Sequence, residues 1–116
     1  MKSLLNELQR VIKICGINVP TEVRDNVKFI LDKYPSHFNS KNYAVYIRTN
    51  GSVTISSLDD IDEIDVGKKH ISVRLITEIT KEGIVKEISD RNIEFNEENL
   101  EKVVNFISEF RNKYKK

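Results

Sequence analysis

The densest chemistry in this chain is the run Asp59-Asp60-Ile61-Asp62-Glu63-Ile64-Asp65, which sets five carboxylates within seven residues. Carboxylates packed that closely have three uses. They can hold a hard cation such as calcium, which takes roughly six to eight oxygen ligands. An EF-hand loop, however, also needs a glycine at its sixth position and a glutamate at its twelfth, and this run offers neither. They can form an electronegative patch that steers a basic protein surface into contact. Or they can be a solvated loop pinned by Leu58, Ile61 and Ile64.

Few other side chains offer chemistry. Histidine catalysis needs a nucleophile or a carboxylate beside the imidazole. Neither His37, in a polar loop, nor His70, at the start of a strand, has one close by in sequence. Cys15 falls on the apolar stripe of a helix and reads as a small buried hydrophobe. Two histidines and one cysteine are too few for structural zinc, which takes about four such ligands, so neither metal nor cofactor is expected. Gly16, Gly51, Gly67 and Gly83 are each isolated, which rules out the clustered-glycine loops that cradle phosphates. A catalytic site would have to be assembled from distant residues, for instance Tyr43, Arg48, His70 and Glu78 in one deep pocket. The expectation is a protein that is not an enzyme.

Charge is near balance overall, at +1, but unevenly spread. Residues 1–50 carry eight Lys/Arg against four Asp/Glu, residues 51–70 two against five, and residues 71–116 nine against nine. No whole-molecule field favours nucleic acid, so any such preference must be local. The local candidates are Arg24, Lys28, Lys33, Lys41 and Arg48, with Tyr43 and Tyr46 as aromatics. Asp25 and Asp32 interleave with the helical cations, and the two tyrosines point to opposite faces of one strand, so a solvated helix face competes with a nucleic-acid surface.

The elements that must position these residues read as follows. Leu4, Leu5, Leu8, Val11, Ile12 and Cys15 form one helical stripe, ended by Gly16 with Ile17 behind it. A second helix runs from a Thr21 cap to Tyr34 and stops at Pro35. Residues 43–48 and 53–56 read as strands joined through Asn50-Gly51 in a type I′ turn. Residues 57–67 fit a short helix or an acidic loop. Strands follow over 70–80 and 84–89, then a bulge or bend at 90–92 and a short continuation over 93–95. Asn96 caps a final helix whose buried stripe is Leu100, Val103, Val104, Ile107 and Phe110, with a frayed basic tail from Arg111.

The expected fold is therefore one α+β domain over 1–116, ordered helix–helix–hairpin–hairpin–helix. It has an antiparallel sheet of about four strands and helices mainly on one face. The segment Met1–Gly16, interrupted by Glu7, Gln9 and Arg10, reads as neither a signal peptide nor a membrane span. With one cysteine, the expected compartment is a reducing cytosol. The expected function is a non-enzymatic protein-binding module, an inhibitor or immunity-type protein, using Asp59, Asp60, Asp62, Glu63 and Asp65. A nucleic-acid accessory protein is the alternative, and a homodimer through a sheet edge is open. In size and in its Lys/Ile/Asn/Glu-rich composition the chain resembles toxin-immunity proteins and phage-encoded or mobile-element inhibitors. That resemblance implies another protein as partner, such as a basic nuclease or toxin.

Overall fold

The computed structural model describes residues 4–15, 18–79, 82 and 85–114, with 15, 77–79, 85–88, 113 and 114 described for the backbone alone. Eight elements follow one another: α1 (Leu4–Cys15), α2 (Thr21–Lys33), β1 (Tyr43–Ile47), β2 (Val53–Ser57), β3 (Asp62–Val66), β4 (His70–Ile79), β5 (Val85–Glu94) and α3 (Glu97–Tyr114). The strands make one antiparallel sheet in the order β1-β2-β3-β4-β5. Each strand lies beside its chain neighbour, as short connections favour. The helix–helix–sheet–helix order matches the sequence reading, but the sheet has five strands where about four were expected.

The added strand is β3. Leu58, Ile61 and Ile64 recur every third residue and suggested a helical turn, yet the buried positions are Asp62, Ile64 and Val66, a period of two. A carboxylate in the inward-facing set concealed the alternation.

The β1–β2 hairpin forms at Asn50-Gly51 with a different turn. A type I′ turn needs positive φ at both central residues; only Gly51 has it, at +89°. The Gly51 N–H closes the turn on the Arg48 carbonyl at 3.0 Å. Asn50 uses its side-chain oxygen instead, accepting from the Ser52 N–H at 3.0 Å and the Ser52 hydroxyl at 2.8 Å. A Cβ on Gly51 would lie 3.2 Å from Pro20 Cδ, so the hairpin tip packs under the α1–α2 connector.

Two helix ends also differ from expectation. Pro20, not Thr21, occupies the N-cap of α2, with φ −55° and ψ 144° and no side-chain cap bond. Helix α3 runs through Tyr114, so Arg111 sits in its last turns and not in a frayed tail. Its start is as expected: the Asn96 side chain accepts the Asn99 N–H at 2.8 Å, and Glu97 and Glu98 occupy the first turn. Strand β5 is continuous, and the irregularity expected at 90–92 appears as a register shift opposite Ile71 and Val73, with Asn92 at φ +61°. The expected C-cap at Gly16 and Ile17 lies outside the described residues.

Register aligns the core. Val45, Ile55, Ile64 and Val73 form one inward row across four strands, and Ile47, Val53, Val66 and Ile71 form the next. The helices cover these rows with Leu4, Leu8, Val23, Val27, Ile30, Leu100, Val104 and Ile107, all buried. Ala44, Tyr46, Thr54, Ser56, Glu63, Asp65, Ser72 and Arg74 alternate onto the other, polar face. Among the described residues no helix is long and apolar enough to cross a membrane.

Ile64 lies at the centre of this packing with no exposed surface. Truncation by Ile64→Ala should cost about 3 kcal/mol in urea unfolding, from lost burial and the cavity left behind. Ile14→Ala, at a side chain 72% exposed, should change stability by less than about 0.5 kcal/mol. Equal losses in the two variants would contradict the packing described.

Candidate functional site

The five carboxylates of the acidic run do not share a surface, because three of them belong to a strand and alternate across it. Asp62 points into the helix-covered side with its side chain fully buried. Glu63 and Asp65 point to the open face, while Asp59 and Asp60 lie in the turn between β2 and β3. The Ser57 hydroxyl oxygen accepts the Ile61 and Asp62 N–H groups at 3.0 Å each and so fixes that turn. Asp60 takes the left-handed backbone, φ 59°, which short polar side chains tolerate. On the open face, Asp65 accepts the Ser52 and Thr54 hydroxyls at 2.9 and 3.0 Å. Glu63 lies 3.9 Å from Arg48 and 3.7 Å from Arg74.

A buried carboxylate must be paired and hydrogen-bonded to be tolerated, and the groups that satisfy Asp62 define the site. Tyr43, at the start of β1, donates its hydroxyl to one oxygen at 2.6 Å. Arg111, on α3, donates to the other at 2.6 Å and reaches Asp59 with its second nitrogen at 2.7 Å. The Arg111 bonds outweigh partial burial and hold the Asp59 carboxyl below the usual carboxylate range. The same bonds push the guanidinium further above its ordinary value. Burial, then the bond to Asp62, pushes the Tyr43 phenol far up, so it keeps its proton.

His37 extends this cluster into a hydrogen-bonded line. It sits in the turn after α2, where the His37 and Phe38 N–H groups donate to the Tyr34 carbonyl at 3.2 and 3.0 Å. Its Nε2 is 3.3 Å from the Tyr43 hydroxyl and its Nδ1 is 3.4 Å from the Ser108 hydroxyl. Tyr43 has spent its one proton on Asp62, so it can only accept from His37. That assigns the proton to Nε2 and leaves Nδ1 to accept from Ser108. Burial lowers the His37 pKa, more than the nearby Asp62 charge raises it, and Arg111 adds to the lowering. The imidazole is thus neutral near pH 7.

His37, Tyr43, Asp59, Ser108 and Arg111 line one cleft of about 780 Å3 at the end of the sheet, between the start of β1, the β2–β3 turn and α3. Ser36, Asn42 and Asn112 add polar wall, and Ile61, Ile76 and Phe110 apolar wall. Of the residues proposed from sequence for a site built at a distance, only Tyr43 is here. Arg48 and His70 lie at the other end of the sheet, lining separate hollows, and the Glu78 side chain is outside the described residues.

The cations proposed for nucleic acid are not gathered either. Lys28 pairs with Asp32 at 2.9 Å and Lys33 with Glu97 at 3.3 Å. Arg24 is exposed on α2 and Lys41 in the loop before β1. Arg48 bonds the Thr54 hydroxyl at 2.8 Å, on the sheet face opposite the helices. Among the described residues no group of three or more His, Cys, Asp or Glu is placed to hold a metal ion.

Sequence reasoning missed Arg111, Ser108 and the role of His37. A signal was present for two members. Asp62 is in phase with the inward Ile64 and Val66, and Arg111 falls four residues beyond Ile107 on the buried stripe of α3. Two opposite charges on two inward faces imply each other. His37 and Ser108 are 71 residues apart and carry no such mark.

Comparison with protein-family models, curated proteins and solved structures finds no match to this chain.

The His37 shift carries a pH signature. Its folded pKa lies below the unfolded 6.5, so between those two values the unfolded chain binds a proton that the folded chain refuses. Stability then rises with pH, and is lost as pH falls through 6.5 towards the folded value. Urea unfolding of wild type between about pH 8 and about pH 5 should show a steeper loss on acidification than His37→Gln, whose other titrating groups are unchanged. Parallel profiles would show that His37 is not desolvated in the fold.

Proposed function

We propose that this chain is a protein-recognition module, of the inhibitor or immunity kind, that meets a basic surface of its partner with the β2–β3 turn and the mouth of the cleft behind it. The observation that carries the reading is the makeup of that turn. Leu58 is 57% exposed, between the buried Ser57 and the half-exposed Asp59, with Asp60 exposed beside them. An exposed apolar side chain followed by two carboxylates, Asp59 and Asp60, suits the recognition of Lys- or Arg-rich surface. Burying the apolar group supplies contact energy, and the charges steer the encounter and set specificity.

Pre-organisation supports the same reading. Arg111 and the Ser57 hydroxyl hold Asp59 in place, so little side-chain freedom remains to be lost on binding. Glu63 and Asp65, on the other face of the sheet, add to the field and not to this contact. A single cysteine fits a reducing compartment such as the cytosol.

The test uses the chain as bait in lysate of its own organism, beside a Leu58→Ala/Asp60→Asn double variant. Both side chains are exposed, and asparagine tolerates the left-handed backbone at position 60, so the variant should melt with the wild type. The protein captured by wild type should be basic. Its Kd, measured by calorimetry with the purified pair, should weaken tenfold or more in the variant, and its dependence on salt should flatten. Equal affinity for both baits, or capture of nucleic acid in place of protein, would overturn the proposal.

A further inference from the structure

We infer that the cleft holds a serine nucleophile, Ser108, with His37 as its general base and acyl esters as its substrate class. This goes beyond the recognition role and does not depend on it. The parts of a nucleophile–base–orienter line are present and in order. Ser108 Oγ faces His37 Nδ1 at 3.4 Å, and His37 Nε2 faces Tyr43 Oη at 3.3 Å. Tyr43 Oη in turn donates to the buried Asp62 at 2.6 Å. Proton bookkeeping along that line leaves Nδ1 unprotonated and turned to Ser108, the tautomer a base requires. The imidazole is held edge-on against Phe38, ring centres 4.5 Å apart. The Tyr43–Asp62 pair behind it can stabilise the imidazolium that forms when it takes a proton. The serine–histidine separation is long, as such contacts often are before substrate closes them.

The cleft is of a size that takes a small molecule. Ile61, Ile76 and Phe110 offer a wall for an acyl chain, while Asn42, Asn112 and Arg111 bring donors to the same space. In the step proposed, Ser108 Oγ bonds to the ester carbonyl carbon as its proton passes to His37 Nδ1. The ester C–O bond then breaks and the alcohol leaves with that proton. Water, deprotonated in the same way by His37, attacks the acyl-serine, and the carboxylic acid departs as the proton returns to Ser108.

The experiment treats the full chain with an alkyl fluorophosphonate, whose phosphorus bonds to an activated serine oxygen as fluoride leaves, and locates the adduct by peptide mass mapping. One adduct is expected, on Ser108, absent from Ser108→Ala and formed at least tenfold more slowly in His37→Gln. Its rate in wild type should rise with pH through a single ionisation below the ordinary histidine value and then level off. p-Nitrophenyl acetate should give a burst of one nitrophenolate per chain that Ser108→Ala lacks. No adduct at Ser108, or an unchanged rate in a folded His37→Gln protein, overturns the inference. Should that variant fail to fold, the wild-type pH profile decides: a rate that climbs with hydroxide and never levels off overturns it.

Discussion

The Asp62 carboxylate is the group around which this fold is arranged. It lies at the first position of β3 with its side chain fully buried, on the side of the sheet that the helices cover. A charge there is tolerable only with an opposite charge and with its lone pairs occupied. Tyr43 from β1 and Arg111 from α3 meet both needs. Their positions fix how far α3 must run, which strand faces its last turns, and where the β2–β3 turn must put Asp59 to use the other side of the guanidinium. The cleft is the space left between those constraints.

Such a cluster does not hold the domain together in the way that the apolar rows do. Buried ion pairs commonly return about what their desolvation costs, and hydrophobic replacements of similar volume are often neutral or better. Removing Arg111 is another matter, since the fully buried Asp62 charge is then left with the Tyr43 hydroxyl and no opposite charge beside it. The cluster adds a directional requirement that the apolar rows lack, since α3 must present Arg111 to both Asp62 and Asp59. It also keeps polar groups at the edge of an apolar core. His37 can then sit half-buried and neutral beside Tyr43, with Ser108 within reach.

Much of the fold was legible in the sequence because it is written in short-range periodicity. The stripes of α1 and α3, the hairpin at Asn50-Gly51 and the alternation of β4 are all local patterns. What failed did so for identifiable reasons. Strand β3 was obscured because Asp62 occupies an inward position and broke the apolar alternation that marks a strand. The hairpin turn differed because the loop has three residues, 49–51, not two. The Gly51 N–H closes on the Arg48 carbonyl, so Asn50 is the third residue of that turn and only Gly51 needs positive φ. The site was mostly illegible. The acidic run drew attention to Asp59 and Asp62, but alternation scatters its five carboxylates among a turn, a core and an open face. Only three-dimensional packing brings His37, Tyr43, Ser108 and Arg111 together from a loop, a strand and a helix. The one clue within reach was a pair of opposite charges in phase with two apolar faces.

Whether the buried Asp62 and the partly exposed Arg111 are coupled, and the docking of α3 depends on them, is tested most directly by a double-mutant cycle. Wild type, Asp62→Asn, Arg111→Gln and the double variant would each be unfolded in urea. The account predicts that Arg111→Gln, which strands the fully buried Asp62 charge, costs about 2–4 kcal/mol. Asp62→Asn leaves Arg111 on Asp59 and should cost less, and the double change should cost well under their sum, a coupling of about 2 kcal/mol. Losses that add to within about 0.5 kcal/mol would mean the two groups act independently, and would contradict it.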